Sequence, residues 1–459
     1  MRGRMKRGAL IFFVLIISVV WATPVRATDI DVELVWRFAQ PGWLQITIEQ
    51  GSYRCTVAGS AAGQSSESSL ADVSVAAGEV IQLGWGGWTP IWRLNQGNFA
   101  IAAGVISLDG QGNGCLEVLR SDGVSALYRG SLRMQWQAGH WRLINRLDGE
   151  EYLFGVVPSE MSNAWAVNGL EALKAQAVAA RTFMVRSTQG ARMITDSPDI
   201  DQAYGGKSVE GAATQAVEET RSLILADADS AQPIEAFYSA HNGGYSEDPV
   251  HVWGNADKHY AAQPDPYSRG VGGAQDQWKF MVSAPQLGEV FGLQAIDHIE
   301  VESFASGSGR IQSVILTDRN GARKSLSGRD LVRAFYPYGQ PISAYSFLGN
   351  LFAVEFLATA SAPEDRSAIG QMLKIPGAVR FTAATRGGPR IDRVISSSEG
   401  LAPVSQPYGV YVFRGSGWGH GVGMSQWGAY HMAQMGFSFR EILQHYYQHT
   451  QIRSTEKKP

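Results

Sequence analysis

The stretch NGLEALKAQAVAARTFMVRS, residues 168–187, marks the point at which the character of the sequence changes. It consists almost entirely of strong helix formers. It predicts an amphipathic helix because its apolar residues recur at helical spacing, at Leu170, Leu173, Ala177, Ala180 and Met184. The sequence before this helix has the pattern of strands and turns, whereas the sequence after it mixes helices with strands.

Residues 28–145 predict a β-rich N-terminal region. Short runs of β-branched and aromatic residues are separated by Gly, Asn, Asp and Ser, and no helical period persists. The predicted strands are WLQITIEQ, EVIQLGW, FAIAAGVISL, LEVLR and WRLINRL.

The remainder of the chain predicts a mixed core, so we assign the α+β class. Further helices are predicted at 208–222, in GRDLVRAFY and in one C-terminal stretch through AQMGFSFREILQHYYQH; strands are predicted in PIEAFYSA, IQSVILTD, LFAVEFLA and GVYVFRG. The mixed core occupies 146–357. An inserted or mobile segment, rich in Gly, Ser and Pro, follows at 358–405. A Gly/Trp-rich motif and a C-terminal helix at 406–459 complete the core.

The first 27 residues have the layout of a secretory signal peptide. They contain five Lys/Arg and no acid, an apolar stretch of 14 residues, and small side chains at Val25 and Ala27. We predict cleavage after Ala27 and export to the periplasm or cell wall, without stable membrane insertion afterwards. The alternative is an uncleaved anchor, but 14 residues fall short of the roughly 20 that span a bilayer.

Charge and cysteine content restrict the partners and the compartment. The formal net charge of −3 falls to near −8 when the five positive charges of the leader are removed, which argues against nucleic acid as a partner. The chain has two cysteines, Cys55 and Cys115, both in the β-rich region. A disulfide between them is expected in an exported protein, and two separate buried thiols are the alternative.

One carboxylate stands in an unusual setting in GVVPSEMSNAW, residues 155–165. Glu160 follows an apolar run, and apolar surroundings raise a carboxyl pKa because they disfavour the charged form. Such a group suits general acid catalysis at neutral pH. The alternative is an acid at a helix start, stabilised there by the helix dipole.

The run GSGWGHGVGMSQWGAY, residues 415–430, combines alternating glycines with aromatic side chains. It lacks the spacing of a phosphate-binding loop. Trp418, His420 and Trp427 would suit a groove that binds sugars, because aromatic faces pack on the apolar faces of sugar rings. The alternative is a tightly packed turn in which the tryptophans belong to the core.

These two motifs together resemble the stage II sporulation protein D and amidase-enhancer (SpoIID/LytB) family. The resemblance rests on EEYLFGVVPSEM, EALKAQAVAARTF and GSGWGHGVGMSQWGAY, and extends over roughly residues 30–450. It implies a lytic transglycosylase that cleaves peptidoglycan glycan strands after an amidase has removed their stem peptides. It also implies that Glu160 is the catalytic acid.

A single acid is sufficient for that reaction. Ordinary glycosidases use two carboxylates, and the apolar run before Glu160 supplies no second one. The C6 hydroxyl of muramic acid can instead attack C1 within the same sugar, which gives a 1,6-anhydro product. Glu160 would protonate the leaving oxygen and then accept the C6 proton.

Several other residues are predicted to bind substrate. Lys174 and Arg181 lie two turns apart on one helix face, in a setting of alanines, and would contact Glu160 or the glycan, with a solvated flank as the alternative. Polar side chains with the same predicted role are Gln202 and Tyr204 in DQAYGG, Tyr238 and Ser239 in FYSAHNGG, and Gln426 in the glycine-rich run.

The loop FYSAHNGGYSEDPVHVW departs from the family pattern, because Tyr238 stands where members commonly carry His. Some relatives bind zinc near this region through Cys and His. Here His241, His251 and His259 lack compact ligand spacing, so we predict no metal and no other cofactor. A Ser239–His241–Asp248 triad is disfavoured because the three residues are crowded into one loop and no GxSxG elbow is present.

Two rival functions remain open at this point. The first is a non-catalytic amidase enhancer, which would bind glycan or stimulate a cell-wall amidase. The second is a hydrolase that uses a more distant acid such as Asp201.

Overall fold

The computed structural model describes residues 29–456 except 40–41, 60–67, 87–88, 102–103, 190–192, 337–342, 344 and 359–408. The predicted signal peptide and almost all of the predicted inserted segment at 358–405 lie outside the described residues. The fold is α+β, as predicted, with a large N-terminal sheet.

Eleven strands of the described chain form this sheet, which confirms the β-rich character of the N-terminal region. They are β1 (Ile30–Glu33), β2 (Leu44–Gly59), β3 (Ser68–Ala76), β4 (Val80–Gly86), β5 (Thr89–Leu94), β6 (Ala100–Ile101), β7 (Gly104–Arg120), β8 (Ser125–Arg129), β9 (Ser131–Gln137), β10 (His140–Leu147) and β11 (Ile194–Thr195). The main path runs β11-β1-β10-β9-β7-β2-β4-β5-β6, with β3 on β2 and β8 on β7. Its pairings are antiparallel except for β1 with β11.

The expected disulfide is wrong. Both cysteines are free and buried, one on β2 and one on β7. In the register of these strands Cys55 lies opposite Leu108, which precedes Cys115 by seven residues. At about 3.3 Å per residue the two thiols lie roughly 20 Å apart, whereas a disulfide needs Cα atoms within about 7 Å.

The helices lie between and after the strands. They are α1 (Gly149–Glu160), α2 (Leu170–Ser187), α3 (Thr214–Glu219), α4 (Val250–Trp253), α5 (Ala284–Val290), α6 (Gly328–Arg333), α7 (Gln426–Gln434) and α8 (Phe439–Tyr446). The predicted helix at 168–187 is confirmed as α2, but the one at 208–222 is reduced to the six residues of α3. The prediction of a single C-terminal helix is wrong. Gly436, with φ of 92°, follows the end of α7, and Ser438 caps the separate helix α8.

Four small sheets complete the described fold. Their strands are β12 (Leu223–Asp227) with β21 (Thr450–Ser454); β13 (Tyr238–Ser239) with β20 (Met424–Ser425); β14 (Trp278–Ser283), β18 (Phe352–Ala358) and β19 (Gly409–Gly415); and β15 (Ile296–Phe304), β16 (Ile311–Asp318) and β17 (Arg323–Ser327). Of the predicted strand PIEAFYSA, only the two residues of β13 are in a strand.

Two hydrophobic cores support these elements. The larger core joins the N-terminal sheet to α1, α2, α7 and α8, and the smaller one lies between the β14 and β15 sheets. Parallel pairing of β13 with β20 brings the glycine-rich run alongside the loop that follows Tyr238. None of the helices described is both long enough and apolar enough to cross a bilayer.

Candidate active site

Glu160 is the last residue of α1, so the alternative that it starts a helix is wrong. The helix begins after Asp148, whose side chain accepts the backbone N–H of Glu150, and it tolerates Pro158 in its final turn. Met161 then turns the chain into an extended conformation. The carboxylate therefore stands at the negative end of the helix dipole, which disfavours its ionised form.

Three donors meet the half-buried carboxyl of Glu160. The backbone N–H of Ala203 donates to Oε1 at 2.7 Å, and Nε2 of Gln426 donates to Oε2 at 3.3 Å. The hydroxyl of Tyr238 also forms a hydrogen bond with this group. Burial raises the pKa of Glu160 and outweighs the three hydrogen bonds, which lower it.

A second layer of amides and hydroxyls fixes these donors. Gln202 donates to the Tyr238 hydroxyl at 2.7 Å and accepts from the Tyr152 hydroxyl at 3.3 Å. Gln426 also donates to Oε1 of Gln176 at 3.5 Å. Gln202 is buried, and its link to Glu160 runs through Tyr238, whereas the sequence had suggested a direct bond to sugar. Gln176 was missed, although a polar residue among buried alanines of α2 was a usable signal.

An aromatic cluster adjoins the acid. Trp165, five residues after Glu160, stacks on Tyr430 with ring centroids 4.3 Å apart and meets Trp427 edge-on at 4.7 Å. Gly169 permits this contact, because a Cβ there would lie 2.3 Å from the Tyr430 ring. All three rings are half-buried, which leaves apolar surface within reach of a ligand. The sequence pointed to Trp427 but missed Tyr430.

The other end of the glycine-rich run faces different neighbours. Nε1 of Trp418 donates to the Tyr336 hydroxyl at 2.9 Å, and its ring packs against the smaller core. Nδ1 of His420 accepts the backbone N–H of Val422 at 3.0 Å. Burial lowers the pKa of His420 to about 3, and the positive charges of Arg310 and Arg329 add to this effect. The imidazole is therefore neutral at physiological pH.

A buried ion pair lies directly beneath this run. Arg310 donates to the backbone carbonyls of Asn242 and Tyr245 and lies 3.6 Å from Glu247. Gly421 is required above it, because a Cβ would lie 2.2 Å from the guanidinium and φ is +76°. Gly421 thus allows the backbone to pass close to a buried charge.

The predicted roles of Lys174 and Arg181 need correction. The guanidinium of Arg181 is 2% exposed and forms a bidentate pair with Glu150 at 2.7 and 2.8 Å. Lys174 pairs with Glu171 at 2.6 Å and Glu219 at 2.7 Å. Both cations therefore join elements of the fold. The sequence had suggested contacts with Glu160, but their carboxylate partners are other residues.

Tyr204 and Ser239 also differ from the predicted groove lining. The Tyr204 ring is buried against Tyr152 at 4.9 Å, and its hydroxyl donates to Asn145 at 2.8 Å, so it belongs to the core. Ser239 is buried beside Tyr238, and its Oγ has no hydrogen-bond partner in the described part of the chain.

The backbone occupies both ring nitrogens of His241. Nε2 lies 3.1 Å from the Val271 carbonyl, and Nδ1 accepts the N–H of Gly243 at 2.9 Å. His241 therefore has no free ring nitrogen to act as a base for Ser239, which argues against the Ser239–His241–Asp248 triad. Within the described ranges, no three His, Cys, Asp or Glu side chains are grouped so that they could hold a metal ion.

Asp201, the acid proposed for the alternative hydrolase mechanism, forms hydrogen bonds with a nearby residue. Its Oδ2 accepts the backbone N–H and the hydroxyl of Thr195 at 2.9 and 3.0 Å, which fixes the turn after β11.

Part of the chain matches a protein-family model, and longer stretches resemble known proteins. Residues 137–226, which include α1, Glu160 and α2, match the family model described as Stage II sporulation protein (SpoIID). The amidase enhancer of Bacillus subtilis (strain 168) is 29% identical over 320 residues, which is 66% of this chain and 40% of that protein. The chain thus spans less than half of that relative's length. Stage II sporulation protein D of Bacillus amyloliquefaciens is 27% identical over 334 residues, 67% of this chain and 74% of that protein.

Proposed function

We propose that this chain, which belongs to the SpoIID/LytB family, is an exported lytic transglycosylase that cleaves peptidoglycan glycan strands lacking stem peptides. The observation that carries the proposal is the setting of Glu160. Its half-buried carboxyl has a raised pKa, three neutral donors and an adjacent aromatic cluster.

The environment of Glu160 suits a group that gives and then regains a proton. Burial at the negative end of α1 favours the protonated acid, which the first half-step requires. The N–H of Ala203 and the amide of Gln426 favour the carboxylate that remains after the proton has left. The two effects oppose each other, and burial is the larger of the two, so the pKa of Glu160 is raised.

The reaction follows from this exchange. Glu160 gives its proton to the glycosidic oxygen as the bond from that oxygen to C1 of muramic acid breaks. The C6 oxygen of the same sugar forms a new bond to C1 and returns its proton to Glu160. No water is consumed, and the tethered hydroxyl has a high effective concentration.

Among the described residues, none of the groups that bond Glu160 is a carboxylate, which supports an internal nucleophile. A hydrolase needs a second carboxylate about 5–10 Å from the first to activate water or attack the sugar. The groups that bond Glu160 are an amide N–H, a Gln and a Tyr, all neutral. Two acids that the sequence places before and after Glu160 are engaged elsewhere: Glu150 is paired with Arg181, and Asp201 accepts the backbone N–H of Thr195.

A second candidate is the amidase enhancer function, which the name of the Bacillus subtilis relative favours. In that case the site around Glu160 would bind glycan without cutting it, and a cell-wall amidase would be the partner. The two candidates differ in whether this protein alone releases soluble fragments.

The experiment compares purified sacculi before and after treatment with an amidase. The mature protein should release soluble glycan fragments from the stripped material and almost none from the intact material. No release from either material, with faster peptide release when the amidase is present, would contradict the enzyme proposal and favour the enhancer.

A further inference from the structure

The outer face of β2, β4 and β5 carries a polar and aromatic surface far along the chain from residues 137–226. Cross-strand register aligns Gln45 with Gln82 and Gln82 with Arg93, so these three side chains share one face. The alternate residues Leu44 and Leu83 are buried on the other face. We call the surface formed by Trp43, Gln45, Gln82, Arg93 and Phe99 the aromatic face.

Two rings of this face are open to solvent. Trp43 is 41% exposed and Phe99 is 40% exposed, and their centroids lie 5.3 Å apart with the rings nearly perpendicular. Gly84 forms the seat of the indole, because a Cβ there would lie 2.4 Å from the Trp43 ring. The indole therefore lies against the backbone of β4 and presents its other side outward.

Planar polar groups border the rings. The Arg93 guanidinium lies 4.5 Å from the centroid of Phe99, and its Nε donates to Gln82 at 2.6 Å. Gln82 in turn donates to Gln45 at 3.2 Å. This chain of hydrogen bonds holds the amides and the guanidinium in fixed positions beside the aromatic surface.

We propose that the aromatic face is a second binding surface for the glycan strand, separate from the site at Glu160. Exposed rings pack on sugar faces, and neighbouring amides bond hydroxyl and acetamido groups. Arg93 is the one charged member of the face. Its positive charge complements the lactyl carboxylate that muramic acid exposes once its stem peptide has been removed. The identity of this ligand rests on the proposed function.

The sheet gives this surface a fixed relation to the acid. Leu44 and Leu83, on the reverse side of the same strands, belong to the same hydrophobic core as Leu153 and Val157 of α1. A polymer bound at the aromatic face is therefore held to the body that carries Glu160. Two contacts along one strand raise the local concentration of substrate at the acid.

The test uses the full mature chain with Glu160→Gln, so that binding is measured without cleavage. Sedimentation with amidase-stripped sacculi gives the affinity. Trp43→Ala and Phe99→Ala should each weaken binding about threefold to tenfold, the loss expected for one aromatic contact. The matched control is Phe304→Ala, which removes a ring that is 38% exposed on β15, outside the face.

Charge recognition is tested separately. Arg93→Gln should weaken binding to stripped sacculi but leave binding to a neutral N-acetylglucosamine hexamer nearly unchanged, whereas Arg93→Lys should retain most of the affinity for stripped sacculi. Equal losses for both ligands would contradict the carboxylate assignment. Circular dichroism establishes that each variant is folded.

Two results would overturn the proposal. One is unchanged affinity in a folded Trp43→Ala, Phe99→Ala double variant. The other is a change in oligomeric state with unchanged glycan binding, which would make the face a contact between copies of the chain. Failure of the active protein to cleave glycan would contradict the proposed function alone, because binding is measured independently.

Discussion

Replacing Arg181 by leucine should destabilise the protein strongly while leaving its chemistry intact. The guanidinium is 2% exposed, pairs in bidentate fashion with Glu150, and also donates to the carbonyls of Val217 and Leu223. Its removal leaves a carboxylate that is 3% exposed without its counter-charge. Breaking a buried pair in this way costs about 3–5 kcal/mol.

Thermal unfolding followed by circular dichroism measures the effect. At about 2 °C per kcal/mol, a value suited to larger domains, the melting temperature should fall by about 6–10 °C. Lys174→Leu is the control, because its more exposed pairs with Glu171 and Glu219 are worth about 0–1 kcal/mol each. Adding Glu150→Met to Arg181→Leu should restore part of the loss, since no buried charge then remains.

Glycan cleavage well below the melting temperature completes the test. Arg181→Leu should retain most of its activity there. An unchanged melting temperature together with lost cleavage would refute the reasoning and return Arg181 to substrate binding.

Three further predictions concern the thiols, the glycine-rich run and the pH profile. Both cysteines should react with a thiol reagent in the unfolded, unreduced protein. If neither reacts, the two cysteines form a disulfide after all. In chemical denaturation, Gly421→Ala should destabilise the protein by about 2–3 kcal/mol more than Gly254→Ala. Both glycines have positive φ, but a Cβ at Gly421 would clash with Arg310, whereas a Cβ at Gly254 would enter open space. Equal losses of stability would contradict this reasoning. Gln426→Leu removes a donor that lowers the pKa of Glu160, so the alkaline limb of the pH–rate profile should move to higher pH; a shift downward would contradict the assignment.

The sequence predicted elements well where local signals were strong. The period of α2 is unbroken over many residues, and the helix appears close to the predicted bounds. By contrast α1 was not recognised, because its GVV run and Pro158 resemble a strand followed by a break. The division between α7 and α8 was readable, since Gly436 is followed by Ser438 and Glu441, the signature of a capping box.

Contacts between residues that are distant in the sequence could not be predicted, and this limited the prediction of the site. Glu160 could be singled out because its apolar setting is local in the sequence, whereas Arg181 was misassigned because Glu150, its partner, lies 31 residues away. The strand register that separates Cys55 from Cys115 likewise depends on pairing across the sheet. Spacing along a helix or strand shows which residues share a face but not what that face contacts.

Mass analysis of the fragment ends released from amidase-stripped glycan strands tests the central claim most directly. The wild-type protein should yield 1,6-anhydro-muramic acid ends, and Glu160→Gln should reduce their rate of formation by about 10²–10⁴-fold, the range of general acid–base assistance. Glu219→Gln, on the exposed side of α3, is the control and should cleave normally. Reducing ends from the wild type, or full activity in Glu160→Gln, would contradict the account.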